Sequence, residues 1–125
     1  MSQPQSISAP IPRSLADVRT SVEAAGGAVT FRAGDLRDAF GGGRLSSGVR
    51  AGISRGLLGL GLGHYPKELP DWQDDLVRIY KLGSPIADLI DAVLEPGAAH
   101  DEELRQAVRG DAAEILQRIR DLVCQ

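Results

Sequence analysis

Three consecutive glycines, Gly41-Gly42-Gly43, constrain this chain more than any other feature. A glycine triplet loses too much backbone entropy on ordering to sit inside a helix or strand, so the chain must turn there. On the N-terminal side, Ala28-Val29-Thr30-Phe31 is a short β-prone run. It leads into residues 32–40, which read as a short helix with Leu36, Ala39 and Phe40 inward. On the C-terminal side, Arg44-Leu45 precedes Ser46, whose hydroxyl suits the N-cap of a second helix over residues 47–60. In that helix Val49, Ile53, Leu57 and Leu60 recur at helical spacing, and the opposite face gathers Ser47, Arg50, Ser54 and Arg55, all small or basic.

The flanks follow the same rules. Residues 1–12 are polar with three prolines and read, with Arg13, as a flexible leader over 1–13. Ser14 caps an expected helix over residues 15–25, with Leu15, Val18 and Val22 on one face and Gly26-Gly27 ending it. Beyond the central helices, His64-Tyr65-Pro66 and residues 76–82 read as two strands of a hairpin, joined by the polar loop KELPDWQDD. Trp72 in that loop is expected to fold back as a cap over the core, the alternative being an exposed anchor for a protein partner. Ser84-Pro85 starts a helix that Pro96-Gly97 ends. From Asp101 onward, Leu104, Val108, Ala112, Ile115, Ile119 and Leu122 form a heptad-like stripe, which Gly110 is expected to split into helices over 101–109 and 111–123. The fold class is therefore mainly α with a small β-hairpin (α+β). It divides into a leader (1–13), a domain (14–96) and a C-terminal helical segment (97–125), where Leu104, Val108, Ile115, Ile119 and Leu122 are expected to pair with a second copy as a homodimer.

Composition limits the function classes. At 125 residues, 42% hydrophobic and 25% charged, the chain can bury one core without staples. Its one cysteine, Cys124, has no intrachain partner, which fits a reducing, cytoplasmic setting. No apolar run reaches the roughly 20 residues of a membrane span, and the N-terminus lacks a signal-peptide pattern. Twelve arginines against two lysines, with abundant Gly and Ala, point to a GC-rich bacterial genome. Charge is uneven: residues 82–125 carry nine acids and four bases, whereas residues 32–55 hold five arginines and only Asp35 and Asp38. A nucleic-acid site belongs in that basic stretch.

No constellation supports catalysis, a cofactor or a metal. His64 and His100 are the only neutral-pH bases, neither lies near a nucleophile motif, and G-x-S-x-G is absent. One Cys and two His cannot supply the four donors of a structural zinc. Asp74-Asp75 and Asp101-Glu102-Glu103 lack the ligand spacing of a cation loop, and the acids at 101–103 suit a helix N-terminus instead. Residues 41–47 lack the lysine of a phosphate-binding loop, and Gly59, Gly61 and Gly63 lack the strand-then-helix setting of a dinucleotide fingerprint.

The order of strand, helix, glycine turn, helix from Ser46 and hairpin over residues 64–82 resembles a winged helix-turn-helix domain, with flanking N- and C-terminal helices. The resemblance covers about 55 residues and is one of element order. It implies duplex DNA as partner, with helix 46–59 as the recognition helix in the major groove and the hairpin as the wing. It places Arg44, Ser46, Ser47, Arg50, Ser54 and Arg55, with Lys67 of the wing, at the DNA. The function this implies is a non-enzymatic regulator of transcription or a chromosome- or phage-associated factor. Glu68, Asp71, Asp74 and Asp75 in the wing and the pI near 5.3 run against phosphate neutralisation. They keep open an adaptor or inhibitor of the same fold that holds a protein through the Trp72 loop or the C-terminal helix; a small hydrolase or transferase is the remaining class.

Overall fold

The computed structural model describes residues 11–123, with side chains described up to Gly110 and at Arg120. The leader reading for residues 1–10, Cys124 and the side chains of Ile115, Ile119 and Leu122 lie outside the described residues. The described chain is mixed α+β and mainly helical: five helices and a small three-stranded antiparallel sheet. Residues up to Ala87 and residues from Asp88 form two compact units.

The first unit opens with helix α1, Leu15–Ala24, whose Ser14 cap accepts a hydrogen bond from Asp17 N at 3.2 Å. Val18 and Val22, one turn apart, are fully buried. Gly26 and Gly27 then take positive φ and reverse the chain into strand β1, Ala28–Arg32. The strand runs straight into helix α2, Ala33–Phe40. At that junction the Asp35 carboxylate accepts from Arg32 N at 3.3 Å. The glycine triplet turns the chain as its composition requires, with φ of 139°, 81° and 93° at Gly41, Gly42 and Gly43.

Helix α3, Ser47–Gly59, is capped by Ser46, whose hydroxyl accepts from Val49 N at 3.2 Å. Its core side is Ile53 and Leu57, both fully buried. Two of its glycines are sites of close approach: a Cβ on Gly52 would lie 2.5 Å from the Phe40 ring, and one on Gly56 would lie 2.6 Å from Leu15 Cδ1. The first two helices thus pack onto α3 where it has no side chains, which accounts for glycines in a helix interior that otherwise cost about 1 kcal/mol each. Phe40, expected inward, covers Gly52 yet stays 41% exposed.

Strands β2, Leu62–Tyr65, and β3, Leu76–Lys81, complete the sheet in the order β1-β3-β2. Val29 stands opposite Ile79 and Phe31 opposite Val77, and all four are buried. With Leu62 they form the sheet side of a core closed by Val18, Val22, Leu36, Ile53 and Leu57. This element order is compatible with a winged-helix-like arrangement.

The ten residues between β2 and β3 are not a free hairpin tip. Leu69 is buried in the core, and the loop's backbone caps α2, since Ala33 N donates to Asp75 O at 2.8 Å and Gly34 N to Gln73 O at 2.9 Å. These are first-turn N–H groups that have no partner inside their own helix. Trp72 does not cap the core as expected; it is 58% exposed, because Leu69 fills that place.

After β3, Ser84 accepts from Ala87 N at 3.2 Å and starts helix α4, Pro85–Leu94. In the second unit, helix α5 runs unbroken over Ala98–Val123. The expected break at Gly110 is absent: one interior glycine costs about 1 kcal/mol, too little to interrupt a helix flanked by good helix formers. Leu104 is half-buried and Val108 is 68% exposed. Among the described residues no helix is long and apolar enough to cross a membrane.

Candidate nucleic-acid interface

The residues picked out on α3 separate into two sets. Ser47, Gly48, Ala51 and Arg55 face solvent on one side of the helix, with Arg44 exposed just before it and Leu58 64% exposed at its end. The Arg44 and Arg55 guanidinium groups make no hydrogen bond or ion pair with another described residue. Ser46 is the helix cap, so its hydroxyl oxygen is already engaged by Val49 N.

Arg50 and Ser54 point elsewhere. The half-buried Arg50 guanidinium donates to Leu45 O through Nε and to Leu69 O through Nη1, both at 3.2 Å. It therefore bridges the segment before α3 to the loop after β2. One turn on, Ser54 Oγ lies 2.8 Å from His64 Nε2, and His64 Nδ1 lies 2.7 Å from Pro66 O. A carbonyl only accepts, so Nδ1 carries a proton and, in the neutral ring, Nε2 accepts from the Ser54 hydroxyl. Two polar links on successive turns thus fasten α3 to residues 64–69.

Between helix and loop is a cavity of about 280 Å³ lined by Ser47, Arg50, Ala51, Ser54, Lys67, Glu68 and Leu69. The fold thereby brings together four of the expected residues, Ser47, Arg50, Ser54 and Lys67, while Arg44, Ser46 and Arg55 lie outside the cavity. Around it the chain carries no carboxylate between Asp38 and Glu68. Glu68 is the acid that sequence reasoning did not place here, and Leu69, which anchors the loop, had no sequence signal beyond being its single large aliphatic residue.

The second unit holds a separate cluster. His100 Nδ1 lies 2.9 Å from Glu103 Oε1, and Nε2 lies 3.5 Å from Glu95 Oε1. The hydrogen bond to Glu103 raises the imidazole pKa above its ordinary 6.5; desolvation opposes this, and the charges of Glu103, Glu95 and Asp91 add to it. Among the described residues no three His, Cys, Asp or Glu side chains gather as a metal-ligand set. The described chain is a small, mainly helical α+β protein in which α3 presents an exposed face of small residues flanked by Arg44 and Arg55. Comparison with protein-family models, curated proteins and solved structures gives no match.

Proposed function

We propose that residues 14–87 are a winged-helix-like module that binds duplex DNA without catalysing a reaction, with α3 entering the major groove. The observation that carries this reading is the outer face of α3. Arg44 and Arg55 stand exposed and unengaged at either end of a surface of small residues, Ser47, Gly48 and Ala51, within a stretch free of carboxylates from residue 39 to residue 67. Small side chains let a helix backbone approach base edges closely, and the flanking guanidinium groups reach phosphate or guanine. The helix N-terminus adds favourable backbone dipoles for a phosphate. Lys67 sits on the same side through the shared cavity. Arg50 and Ser54 hold α3 in place and act on DNA through its position.

Fluorescence anisotropy with a mixed-sequence duplex between about 50 and 200 mM salt tests this, since log affinity falls with log salt by about 0.9 per neutralised phosphate. The double variant Arg44→Ala/Arg55→Ala is expected to bind more weakly and with a slope shallower by about 1–2. No binding at low salt, or unchanged binding by the double variant, overturns the reading.

The exposure of Trp72 on a loop with Glu68, Asp71, Asp74 and Asp75 favours a second reading, in which that loop holds a protein. A pull-down whose captured protein is lost with Trp72→Ala, in a variant that keeps its DNA affinity, separates the two.

A further inference from the structure

The outward side of the sheet is a second open surface of the first unit, on the face away from the core. Strand alternation puts Thr30 and Arg32, Tyr65, and Leu76 and Arg78 on it, because Val29, Phe31, Val77 and Ile79 point inward. Register arranges these residues in rows. Ala28, Tyr80 and Gly63 form the first, and it is closed: the Tyr80 ring lies across Gly63, where a Cβ would come within 2.8 Å of it. Thr30, Arg78 and Tyr65 form the second, and Arg32 and Leu76 the third. These two rows are open, with Tyr65 44% and Leu76 47% exposed and both arginines exposed. A cavity of about 200 Å³ here is lined by Thr30, Tyr65, Pro66, Leu76 and Arg78.

Charge on this face has one sign. None of the strand residues is acidic. The nearest carboxylates along the chain flank the rows and do not lie in them: Asp75 precedes Leu76, Asp35 accepts from Arg32 N, and Glu68, three residues after Tyr65, lines the cavity beside α3. The Arg78 guanidinium, in the middle row, makes no hydrogen bond or ion pair with another described residue. Its surroundings are a proline, a leucine, an aromatic ring and a threonine. Such walls reward an apolar side chain that leaves water, whereas a nucleic-acid backbone gains from cations spread along its path, and here they are only two.

We propose that this face docks an acidic segment of a partner protein, which seats an apolar side chain in the cavity lined by Tyr65 and Leu76 and sets a carboxylate on Arg78. The aromatic wall and a bidentate arginine are the residue types that dominate binding at protein interfaces. The site shares no residue with the exposed face of α3, so it stands or falls independently of DNA binding.

Selection of a random-peptide display library on the full-length protein tests the proposal. Peptides that pair Asp or Glu with a nearby Leu, Ile, Phe or Trp are expected to enrich, and to bind at least tenfold more weakly to Arg78→Gln and to Tyr65→Ser. Selection on Arg78→Glu is expected to turn the preference from acidic to basic peptides, a change that damage to the fold would not produce. Both substituted positions are exposed, and far-UV circular dichroism checks that each variant folds. The proposal is overturned if acidic peptides do not enrich, if the enriched ones bind the variants equally, or if NMR shifts at Thr30 and Arg78 respond to a DNA oligonucleotide and not to the peptide.

Discussion

Replacing Arg50 by alanine separates a structural clamp from a solvated arginine on the same helix. The guanidinium makes two hydrogen bonds of 3.2 Å to main-chain carbonyls, those of Leu45 and Leu69, and the second belongs to a residue that is 5% exposed. A hydrogen bond from a charged donor contributes about 1.5–3 kcal/mol when buried. Half-burial reduces this, so both bonds together are worth about 2 kcal/mol, with the stranded Leu69 carbonyl setting the upper end. Arg55→Ala on the exposed face is expected to change stability by less than about 0.5 kcal/mol. Urea unfolding followed by circular dichroism reads both values directly. For a domain of this size about 1 kcal/mol corresponds to a melting shift of roughly 4–8 °C, so Arg50→Ala melts well below the wild type and Arg55→Ala close to it. A loss under about 0.5 kcal/mol for Arg50→Ala would refute the clamp and return Arg50 to the solvent-facing set. It follows that weakened DNA binding by an Arg50 variant counts for nothing unless its stability is measured alongside.

Glycines along α3 give a second contrast. Gly48→Ala meets nothing within 4 Å, so it is expected to stabilise by about 0.5–1 kcal/mol through helix propensity. Gly52→Ala gains the same propensity but drives a Cβ to 2.5 Å from the Phe40 ring. It is expected to be less stable than Gly48→Ala by about 1 kcal/mol, the low end for overpacking because the ring can swing outward; equal stabilities would show that α2 does not rest on α3 there. In the second unit, the folded His100 pKa lies above its ordinary 6.5. The link from His100 to Glu103 therefore supports folding fully below pH 6.5 and loses that contribution as pH rises through the raised value. An NMR titration of the His100 ring is expected to give a midpoint above 6.5 that falls towards it in Glu103→Gln; a wild-type midpoint at or below 6.5 sinks the argument.

Much of the fold was legible because its signals are local. The glycine triplet, the Ser14, Ser46 and Ser84 caps and the apolar spacing of α1 and α3 each depend on a few neighbouring residues, and the observed elements begin and end close to where those signals put them. Features set by partners distant in sequence were not legible. Leu69 and Trp72 stand three residues apart in one polar loop, and only tertiary packing decides that the leucine is buried and the tryptophan exposed. The roles of Arg50 and Ser54 were half legible. With about 100° of turn per residue, they sit roughly 65° and 105° from the centre of the stripe formed by Val49, Ile53, Leu57 and Leu60, on its shoulder. Ser47, Ala51, Arg55 and Leu58 sit about 125–165° away. A shoulder position is where a long polar side chain can lay its stem on the core and reach main-chain carbonyls beside it. Reading an amphipathic helix as two faces merges these shoulder residues with the solvent-facing ones, whereas dividing it by angle separates Arg50 from Arg55 on helical spacing alone.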